Sequence, residues 1–310
     1  MENVVNRALP LWGFEGAAVT LAAHRENTVY QVATRQRQFA LRLHRAGYRS
    51  DAELRSELDW MAAVAAAGIS VPSPIPSNEC AFLHLIDGVQ VDVLTWLSGD
   101  TLAALLPSLT AMRIEEIYFT LGREMARLHK ATDAWTPPKD FDRVHWNADG
   151  LLGDAPLWDR FWDNPALSPE DRSLFTRFRV QARAQLDAMK GRLDYGLIHA
   201  DLVPANIMVE GDQLHLIDFD DGGFGYRQFD LATALLKLRD QTNYPAIKTA
   251  LLSGYQSARS IDLADLDFFL CLRAATYVGW NITRREEPDG QIRNTRFIDT
   301  LRSLALDFVD

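Results

Sequence analysis

Two short polar stretches decide the fold of this 310-residue chain: LIHADLVPAN at residues 197–206 and IDFD at residues 217–220. Two apolar runs of β type lie between them, Ile207 to Val209 and Leu214 to Ile217, and a Gly211-Asp212 turn separates these runs. The pattern predicts a hairpin that brings the end of the first stretch next to the second.

Three residues of these stretches have the side-chain chemistry that phosphoryl transfer requires. One group must orient the acceptor hydroxyl and take its proton, and oxygen ligands must hold the magnesium that neutralises the phosphates. Carboxylate and amide oxygens are ligands of the kind that Mg²⁺ prefers. Asp201, Asn206 and Asp218 are residues of these types. The hairpin would allow Asn206 and Asp218 to reach one ion.

The regions outside these stretches predict an α+β chain of two lobes. The first hundred residues contain strand-like runs around one helix, which a Ser50-to-Glu53 capping box begins and Gly68 ends. The predicted strands are Thr28 to Val32, Gln38 to His44, Cys80 to Ile86 and Val89 to Leu97. We therefore predict a small β-rich lobe at residues 1–97, a hinge near residues 94–99 and a mainly helical lobe at residues 98–310.

Helical periodicity dominates the second lobe. Its apolar residues recur at helical spacing, and Ser168-Pro169-Glu170-Asp171 is typical of a helix start. The predicted helices include Ile114 to Leu128, a helix that begins at Ser168, Phe229 to Arg239, Tyr244 to Ser257, and Leu263 to Arg285.

The order of the polar residues resembles the kinase pattern His-x-Asp-x4-Asn, followed by a metal-binding Asp after a hairpin. More narrowly, IDFDDGG at residues 217–223 resembles the aminoglycoside phosphotransferase and choline kinase family, including bacterial members of the homoserine-kinase-like and stress-response-kinase-like types. Catalytic loops in that family read His-Gly-Asp, and this chain has Ala200 at the middle position. The resemblance implies a bilobal protein-kinase-like fold and transfer of the ATP γ-phosphate to a hydroxyl group.

The resemblance also implies roles for individual residues of the second lobe. Asp201 would be the catalytic base, and Asn206 and Asp218 would be the Mg²⁺ ligands. Three supporting residues would surround them. Asp220 would be an auxiliary neighbour of metal or phosphate, His199 would support the loop, and Asp230 would brace its backbone from the next helix.

The first lobe would supply the nucleotide site. FALR at residues 39–42 stands where kinases have Val-Ala-Ile-Lys, so Arg42 would replace the usual lysine, with a planar guanidinium in place of a point charge. Glu57 would be its partner on the capped helix. Asn27 lies in the turn at residues 24–27, where the phosphate-covering loop would be, and Trp96 lies in the predicted adenine-binding hinge.

Aromatic clusters in the second lobe have two interpretations. The first cluster, Trp158, Phe161 and Trp162, could line an acceptor pocket or form core, and so could a second one, Tyr277, Trp280 and Asn281. Helical spacing favours core for both. The histidines outside the polar stretches, His129, His145 and His215, have no partners at metal-ligand spacing and are interpreted as structural or exposed.

The charge and composition of the chain indicate which kinds of partner and compartment are compatible with it. The net charge of −10 argues against a nucleic-acid surface and is compatible with a cationic substrate. The apolar stretch from Trp60 to Val71 is too short to span a membrane. Only Cys80 and Cys271 are present, which favours a reduced, cytoplasmic compartment.

The acceptor stays open at this point. Candidates are an amino alcohol, a hydroxy-amino acid such as homoserine, and an aminoglycoside-like sugar. Alternatives to a small-molecule kinase are a protein Ser/Thr kinase of the stress-response type and a nucleotide-binding pseudokinase scaffold. The sequence also leaves open the choice between ATP and GTP and the oligomeric state.

Overall fold

The computed structural model describes residues 2–24 and 27–309. Its strands, in chain order, are β1 (Ala18–His24), β2 (Thr28–Ala33), β3 (Gln38–Leu43), β4 (Leu83–Ile86), β5 (Val89–Thr95), β6 (Asp100–Thr101), β7 (His145–Trp146), β8 (Tyr195–Ile198), β9 (Ile207–Glu210), β10 (Gln213–Leu216) and β11 (Gly223–Tyr226). Its α-helices are α1 (Glu2–Ala8), α2 (Asp51–Ala66), α3 (Leu102–Leu105), α4 (Ala111–Ala134), α5 (Ala148–Leu152), α6 (Pro169–Ala188), α7 (Arg227–Leu236), α8 (Tyr244–Ala258), α9 (Leu266–Trp280) and α10 (Gly290–Val309).

The chain divides into two compact units. The first comprises Met1–Pro107, Lys130–Arg143 and Ala205–Asp220, and the second comprises Ser108–His129, Val144–Pro204 and Asp221–Asp310. The hairpin after the first polar stretch thus belongs to the same unit as the β-rich residues at the start of the chain. The division into lobes at residue 97 stays a prediction.

The first unit contains a five-stranded antiparallel sheet in the order β1-β2-β3-β5-β4. Apolar side chains of α1 and of the sheet form one buried cluster, in which Val5 and Trp12 lie with Leu41 and Val93. This packing fixes β3 and β5 at the centre of the sheet, and these two strands carry the charged residues described below.

Helix α2 begins as the sequence predicts. The Ser50 side chain accepts a hydrogen bond from the backbone N–H of Glu53, and the Glu53 carboxylate accepts one from the backbone N–H of Ser50. Such reciprocal caps satisfy N–H groups that the first helical turn leaves unpaired. Ala67 caps the other end, and Gly68 follows with φ of 80°. The predicted capping box and stop signal are confirmed.

A second sheet of the first unit contains the predicted hairpin. Strands β9 and β10 pair antiparallel, and the short β6 joins the other edge of β9. Gly99, just before β6, has φ of 102°, and a Cβ there would collide with the carbonyl oxygen of Val209. Glycine is therefore required where the chain enters this sheet.

The second unit is mainly helical. Helix α9 packs against α7 and α10, and α10 packs against α6. The helices α4 and α8 approach closely through Gly122 and Gly254, because a Cβ on either residue would overlap a backbone carbonyl of the other helix. A small sheet in the order β7-β11-β8 lies in this unit, and its strand β8 includes the first two residues of the first polar stretch.

Several elements were not predicted from sequence, and two of the strands show a physical reason. Strand β1 is an edge strand with mostly exposed side chains, so it has no apolar alternation. Strand β11 contains Gly223 and Gly225, which disfavour strands; a Cβ on Gly225 would collide with the Ile198 side chain. The helices α1 and α10 were not predicted either.

Candidate active site

Arg42 lies in a buried ion cluster of the first unit and is 6% exposed. Its Nε and Nη2 donate to the two carboxylate oxygens of Asp92, each at 2.8 Å, and its Nη1 donates to Glu57 Oε1 at 2.8 Å. The Arg42–Glu57 contact that the sequence predicts is therefore present. Asp92 was not predicted: it lies directly opposite Arg42 in the register of β3 and β5.

The electrostatics of this cluster favour charged side chains. Burial opposes ionisation of all three groups, but the neighbouring charges outweigh it. The pKa of Arg42 is raised by Asp92 and Glu57, and the pKa of Glu57 is lowered by Arg42. Burial is likewise outweighed at Asp92, whose pKa falls to about 2 beside Arg42 and His44. His44 Nε2 lies 2.6 Å from Asp92 Oδ2.

Arg143, a residue that sequence reasoning missed, connects α2 to the second polar stretch. Its Nη1 lies 3.5 Å from Glu57 Oε2, and its Nη2 donates to the carbonyl oxygens of Phe219 at 2.9 Å and Asp220 at 2.6 Å. Trp60 of α2 also meets the Phe219 ring edge to face, with centroids 5.0 Å apart. The helix that bears Glu57 therefore holds the backbone on which Asp218 lies.

The structure brings the backbones of the two predicted metal ligands together. The N–H of Ile217 donates to the carbonyl oxygen of Asn206 at 3.0 Å, so Asp218 follows directly after the residue bonded to Asn206. Asp218 has φ of 69°, a backbone conformation that Asp tolerates better than most residues. Their amide and carboxylate oxygens fit Mg²⁺, which keeps several water or phosphate ligands. Larger groups of metal-binding type, with three or more His, Cys, Asp or Glu, do not occur in the described ranges.

Asp220 lies near two arginines of its own unit. Its carbonyl oxygen accepts hydrogen bonds from Arg49 and Arg143, and its carboxylate lies 3.6 Å from Arg49 Nε. Arg49 was not identified from sequence, although it stands next to the predicted cap at Ser50.

Asp201, in the second unit, is the predicted base. Its side chain is 23% exposed, and its Oδ1 accepts a hydrogen bond from Arg273 Nη2 at 2.7 Å. Its backbone N–H lies 3.4 Å from His199 Nδ1, and the preceding residue, Ala200, has φ of 64°. The carboxylate is thus held by a buried arginine on a loop of unusual backbone conformation.

Asp230 is completely buried and bonds to that loop. Its carboxylate accepts the backbone N–H of His199 at 3.0 Å and of Ala200 at 2.7 Å, so the bracing contact expected of it is present. It also bonds to His129 Nε2 at 3.0 Å, while His129 Nδ1 lies 2.8 Å from the Tyr255 hydroxyl. Burial lowers the pKa of His129 to about 4. A neutral His129 that donates from Nε2 and accepts at Nδ1 fits both contacts.

Arg273 was also missed by sequence reasoning. It is completely buried, and its guanidinium carbon lies 4.5 Å from the ring centroid of Trp158 and 4.4 Å from that of Tyr277. Burial opposes its charge, but Tyr277 and Asp201 raise the pKa of Arg273. A basic residue inside an apolar helix and next to Tyr277 was the available signal.

The aromatic clusters divide between the two interpretations. Phe161 and Trp162 are buried core residues, as favoured, and so are Tyr277 and Asn281. Trp158 and Trp280 are only half-buried, and Trp158 lies against Arg273, so both interpretations stay open for these two side chains. The three histidines outside the polar stretches have structural or exposed positions, as the sequence predicts. His129 and His215 are buried and bond to Tyr255 and Ser70. His145 is exposed and bonds to Tyr195.

The remaining predicted nucleotide residues lie in the first unit. Asn27 is partly exposed, and its Oδ1 accepts the backbone N–H of Arg45 at 3.3 Å. Arg25 and Glu26 of the same predicted loop lie outside the described residues. Trp96 follows β5 and is partly exposed, and its backbone N–H donates to the carbonyl oxygen of Gln38 at 3.3 Å.

Comparison with known proteins identifies the family. The model of the phosphotransferase enzyme family matches residues 18–269. A homoserine kinase of Sinorhizobium fredii is 28% identical over 264 residues, which cover 84% of this chain and 76% of the relative. The structure of a microcompartment-associated aminopropanol kinase is 27% identical with a TM-score of 0.86, covering 100% of this chain and 98% of that one. The chain belongs to the phosphotransferase enzyme family.

Two predictions are thereby confirmed: the chain has a kinase-like fold, and it is a phosphotransferase. A further structure, of the amicoumacin kinase hAmiN with AMP-PNP, Ca²⁺ and Ami, is 20% identical with a TM-score of 0.79 and supports the fold alone. It covers 97% of this chain and 93% of that one. Among the described helices, none has the length and apolar character needed to cross a membrane.

Proposed function

We propose that this phosphotransferase transfers the γ-phosphate of ATP to the hydroxyl group of a small molecule, with Asp201 as the base. The observation that supports this most directly is the placement of Asp201. Its carboxylate is partly exposed, while the two preceding backbone N–H groups are bonded to a buried carboxylate. Because a base acts only from within hydrogen-bond reach of the proton it takes, such a fixed loop suits the role.

The nucleotide is assigned to the first unit. The Arg42 guanidinium has five N–H groups, and three of them donate to Asp92 and Glu57. We assign the remaining two, one on each terminal nitrogen, to phosphate oxygens. The partly exposed Asn27 and Trp96 are assigned to the phosphate and adenine ends.

Magnesium would neutralise the developing charge on the phosphates when bound to Asn206 and Asp218. The contribution of the chain itself is to fix these two residues. The β9–β10 hairpin joins their backbones, and Arg143 holds the segment Phe219-Asp220 from the other side. Asp220 would support this segment through Arg49.

The acceptor is proposed to be a small hydroxylated amine or amino acid. The two relatives above are named for homoserine and aminopropanol, and each of these compounds contains a hydroxyl group and an amino group. An acidic chain with net charge −10 is compatible with such cationic groups.

The test is a coupled ADP-release assay with ATP, with and without Mg²⁺, over hydroxylated amines, amino acids and sugars. For the best acceptor, Asp201→Asn should lower kcat by about 10²- to 10⁴-fold, the range expected for loss of a general base. Asp187→Asn is the matched control, since Asp187 is an exposed acid of the same unit that pairs with Arg183. Full transfer by Asp201→Asn would show that the base is assigned wrongly.

A further inference from the structure

Arg273 bonds through only one of its three guanidinium nitrogens. Nη2 donates to Asp201 Oδ1 at 2.7 Å and to the Tyr277 hydroxyl at 3.2 Å. Nε and Nη1 are buried and have no hydrogen-bond partner among residues 2–24 and 27–309. The charged side chain therefore keeps donors on two nitrogens that no described protein atom accepts.

This arrangement differs from ordinary protein interiors, where buried polar groups almost always find partners. Leaving a buried donor unpaired is unfavourable, and more so when the donor is charged. Such a group calls for a structural explanation, and a ligand that completes its hydrogen bonds is one. For a guanidinium, the matching group is an oxyanion such as a carboxylate or a phosphate.

The aromatic neighbours fix the orientation of these donors. Trp158 and Tyr277 lie 4.5 Å and 4.4 Å from the guanidinium carbon, and Phe229 lies 5.4 Å from it. Three rings this close to the guanidinium carbon restrict the rotation of the side chain. Tyr277 and Phe229 are buried, whereas Trp158 is half-buried. Trp158 is thus the most exposed of the three rings and marks the side from which a ligand would approach.

We propose that Arg273 binds the carboxylate of the acceptor, so that the substrate of this enzyme is a hydroxy acid and not a simple amino alcohol. The inference rests on the proposed function, in which Asp201 is the base. Because the same guanidinium bonds to Asp201, a carboxylate on Arg273 places the hydroxyl of a short hydroxy acid near the base. Arg273 is then a residue that determines specificity.

The selectivity follows from the unpaired donors. An acceptor without a carboxylate leaves Nη1 and Nε unpaired, whereas a carboxylate oxygen can accept a hydrogen bond from one of these two nitrogens. Sites built to hydrogen-bond a substrate group reject analogues that lack the group far more strongly than apolar pockets reject a missing methylene. A transferring phosphoryl group is the other oxyanion that could lie on Arg273, and its contact would be independent of the acceptor.

The experiment compares L-homoserine with 3-aminopropan-1-ol, which has the same alcohol and amine but a hydrogen in place of the carboxylate. The ratio of kcat/KM for the two is measured in the wild type, Arg273→Lys and Arg273→Met. We expect the wild type to prefer homoserine by about 100-fold or more, and Arg273→Met to lose most of this preference. Arg273→Lys, which keeps the charge, should retain part of it.

The controls separate the possible failures. Arg192→Met removes an exposed arginine of the same unit, which pairs with Asp265, and should leave the ratio unchanged. Urea unfolding of each variant checks that it folds. Serine, threonine and glycerate, each with its analogue lacking the carboxylate, extend the comparison to other hydroxy acids.

Each outcome decides the proposal. An equal loss of kcat/KM for both members of a pair in Arg273→Met would place Arg273 on the phosphoryl group or on Asp201 alone, and would overturn the carboxylate assignment. A wild type that prefers the analogues lacking the carboxylate would overturn it too, while leaving the proposed kinase function intact. If no alcohol in the panel or in the wider ADP-release screen is phosphorylated, the proposed function itself fails.

Discussion

Two buried arginines, one in each unit, differ in how the protein satisfies them. Every guanidinium nitrogen of Arg42 donates to a carboxylate, either Asp92 or Glu57. Among the described residues, the Arg273 guanidinium donates hydrogen bonds through Nη2 alone, and aromatic rings lie around its carbon. The difference indicates that the Arg42 cluster holds its own geometry through carboxylates of the protein before a phosphate binds, whereas the Arg273 site is the one that we propose a ligand completes.

The neighbours of the two clusters extend this contrast. Glu57 also meets Arg143, which bonds to the backbone of Phe219 and Asp220, so the first cluster is part of a continuous network. Asp201, the acid paired with Arg273, is 23% exposed and so open to a substrate. We therefore expect Arg42→Met to lower stability as well as nucleotide binding, and Arg273→Met to act mainly on specificity.

The largest expected effect is that of Arg42→Met on the free energy of unfolding. Removing one partner of a buried ion cluster leaves uncompensated charges, here Asp92 and Glu57, which typically costs about 3–5 kcal/mol. Urea unfolding measures the loss, and Arg37→Met, at an exposed position beside the same strand, is the control. The double variant Arg42→Met/Asp92→Leu should recover part of the loss. An exposed ion pair contributes up to about 1 kcal/mol. If Arg42→Met lowers the free energy of unfolding by less than this, the Arg42 cluster does not differ from an exposed pair, and its contrast with Arg273 fails.

The free energy of unfolding should depend on pH through one residue in each unit, and the two residues act in different pH ranges. The folded pKa of His129 is lowered to about 4 from 6.5, because burial disfavours its charged form. A group whose folded pKa is depressed loses its stabilising contribution as pH falls from the unfolded value to the folded one. The free energy of unfolding should therefore fall between about pH 6.5 and 4, by up to about 3 kcal/mol.

Asp92 changes the free energy of unfolding at lower pH than His129 does. Its folded pKa of about 2 lies below the ordinary 3.8, because the effect of Arg42 and His44 outweighs burial, so its contribution is lost as pH falls from about 4 toward 2. Urea titrations at a series of pH values measure both steps. His129→Gln should flatten the upper step and leave the lower one. An upper step that persists in His129→Gln would contradict the assignment.

The smallest expected effect is that of Arg273→Met on stability. The substitution removes the pair with the partly exposed Asp201, but it also removes two nitrogens with unpaired N–H groups from an aromatic surrounding. Replacing a poorly satisfied buried polar group by an apolar one of similar size is nearly neutral, so we expect a change within about 1 kcal/mol. Urea unfolding of Arg273→Met and of Arg42→Met under the same conditions gives the two free-energy changes to be compared. A loss as large as that of Arg42→Met would mean that Arg273 is a structural residue.

Much of the fold could be predicted from local signals. The capping box at Ser50, the helix start at Ser168 and the Gly211-Asp212 hairpin each depend on residues close in sequence, and the structure contains all three. The Arg42–Glu57 pair was predictable too, because a strand and the helix after it carry the two residues.

The partners that complete each cluster could not be predicted. Asp92 depends on the register of two strands that the whole of α2 separates in sequence, and Arg143 and Arg273 depend on long-range packing. Their sequence neighbourhoods carry no periodic signal for these contacts. The charges that neutralise a site are thus the part of it that sequence patterns describe least well. The catalytic and metal-binding roles of Asp201, Asn206 and Asp218 stay predictions.

The left-handed backbone of Ala200, with φ of 64°, has an evolutionary consequence. A glycine there would relieve strain of about 1–2 kcal/mol. It would also give the unfolded chain more freedom, which costs about 0.4–1 kcal/mol. The exchange between alanine and glycine is therefore close to silent for folding, and it changes mainly how often the loop leaves the conformation that Asp230 holds. The backbone of this loop can therefore vary at position 200 without a change in any polar side chain.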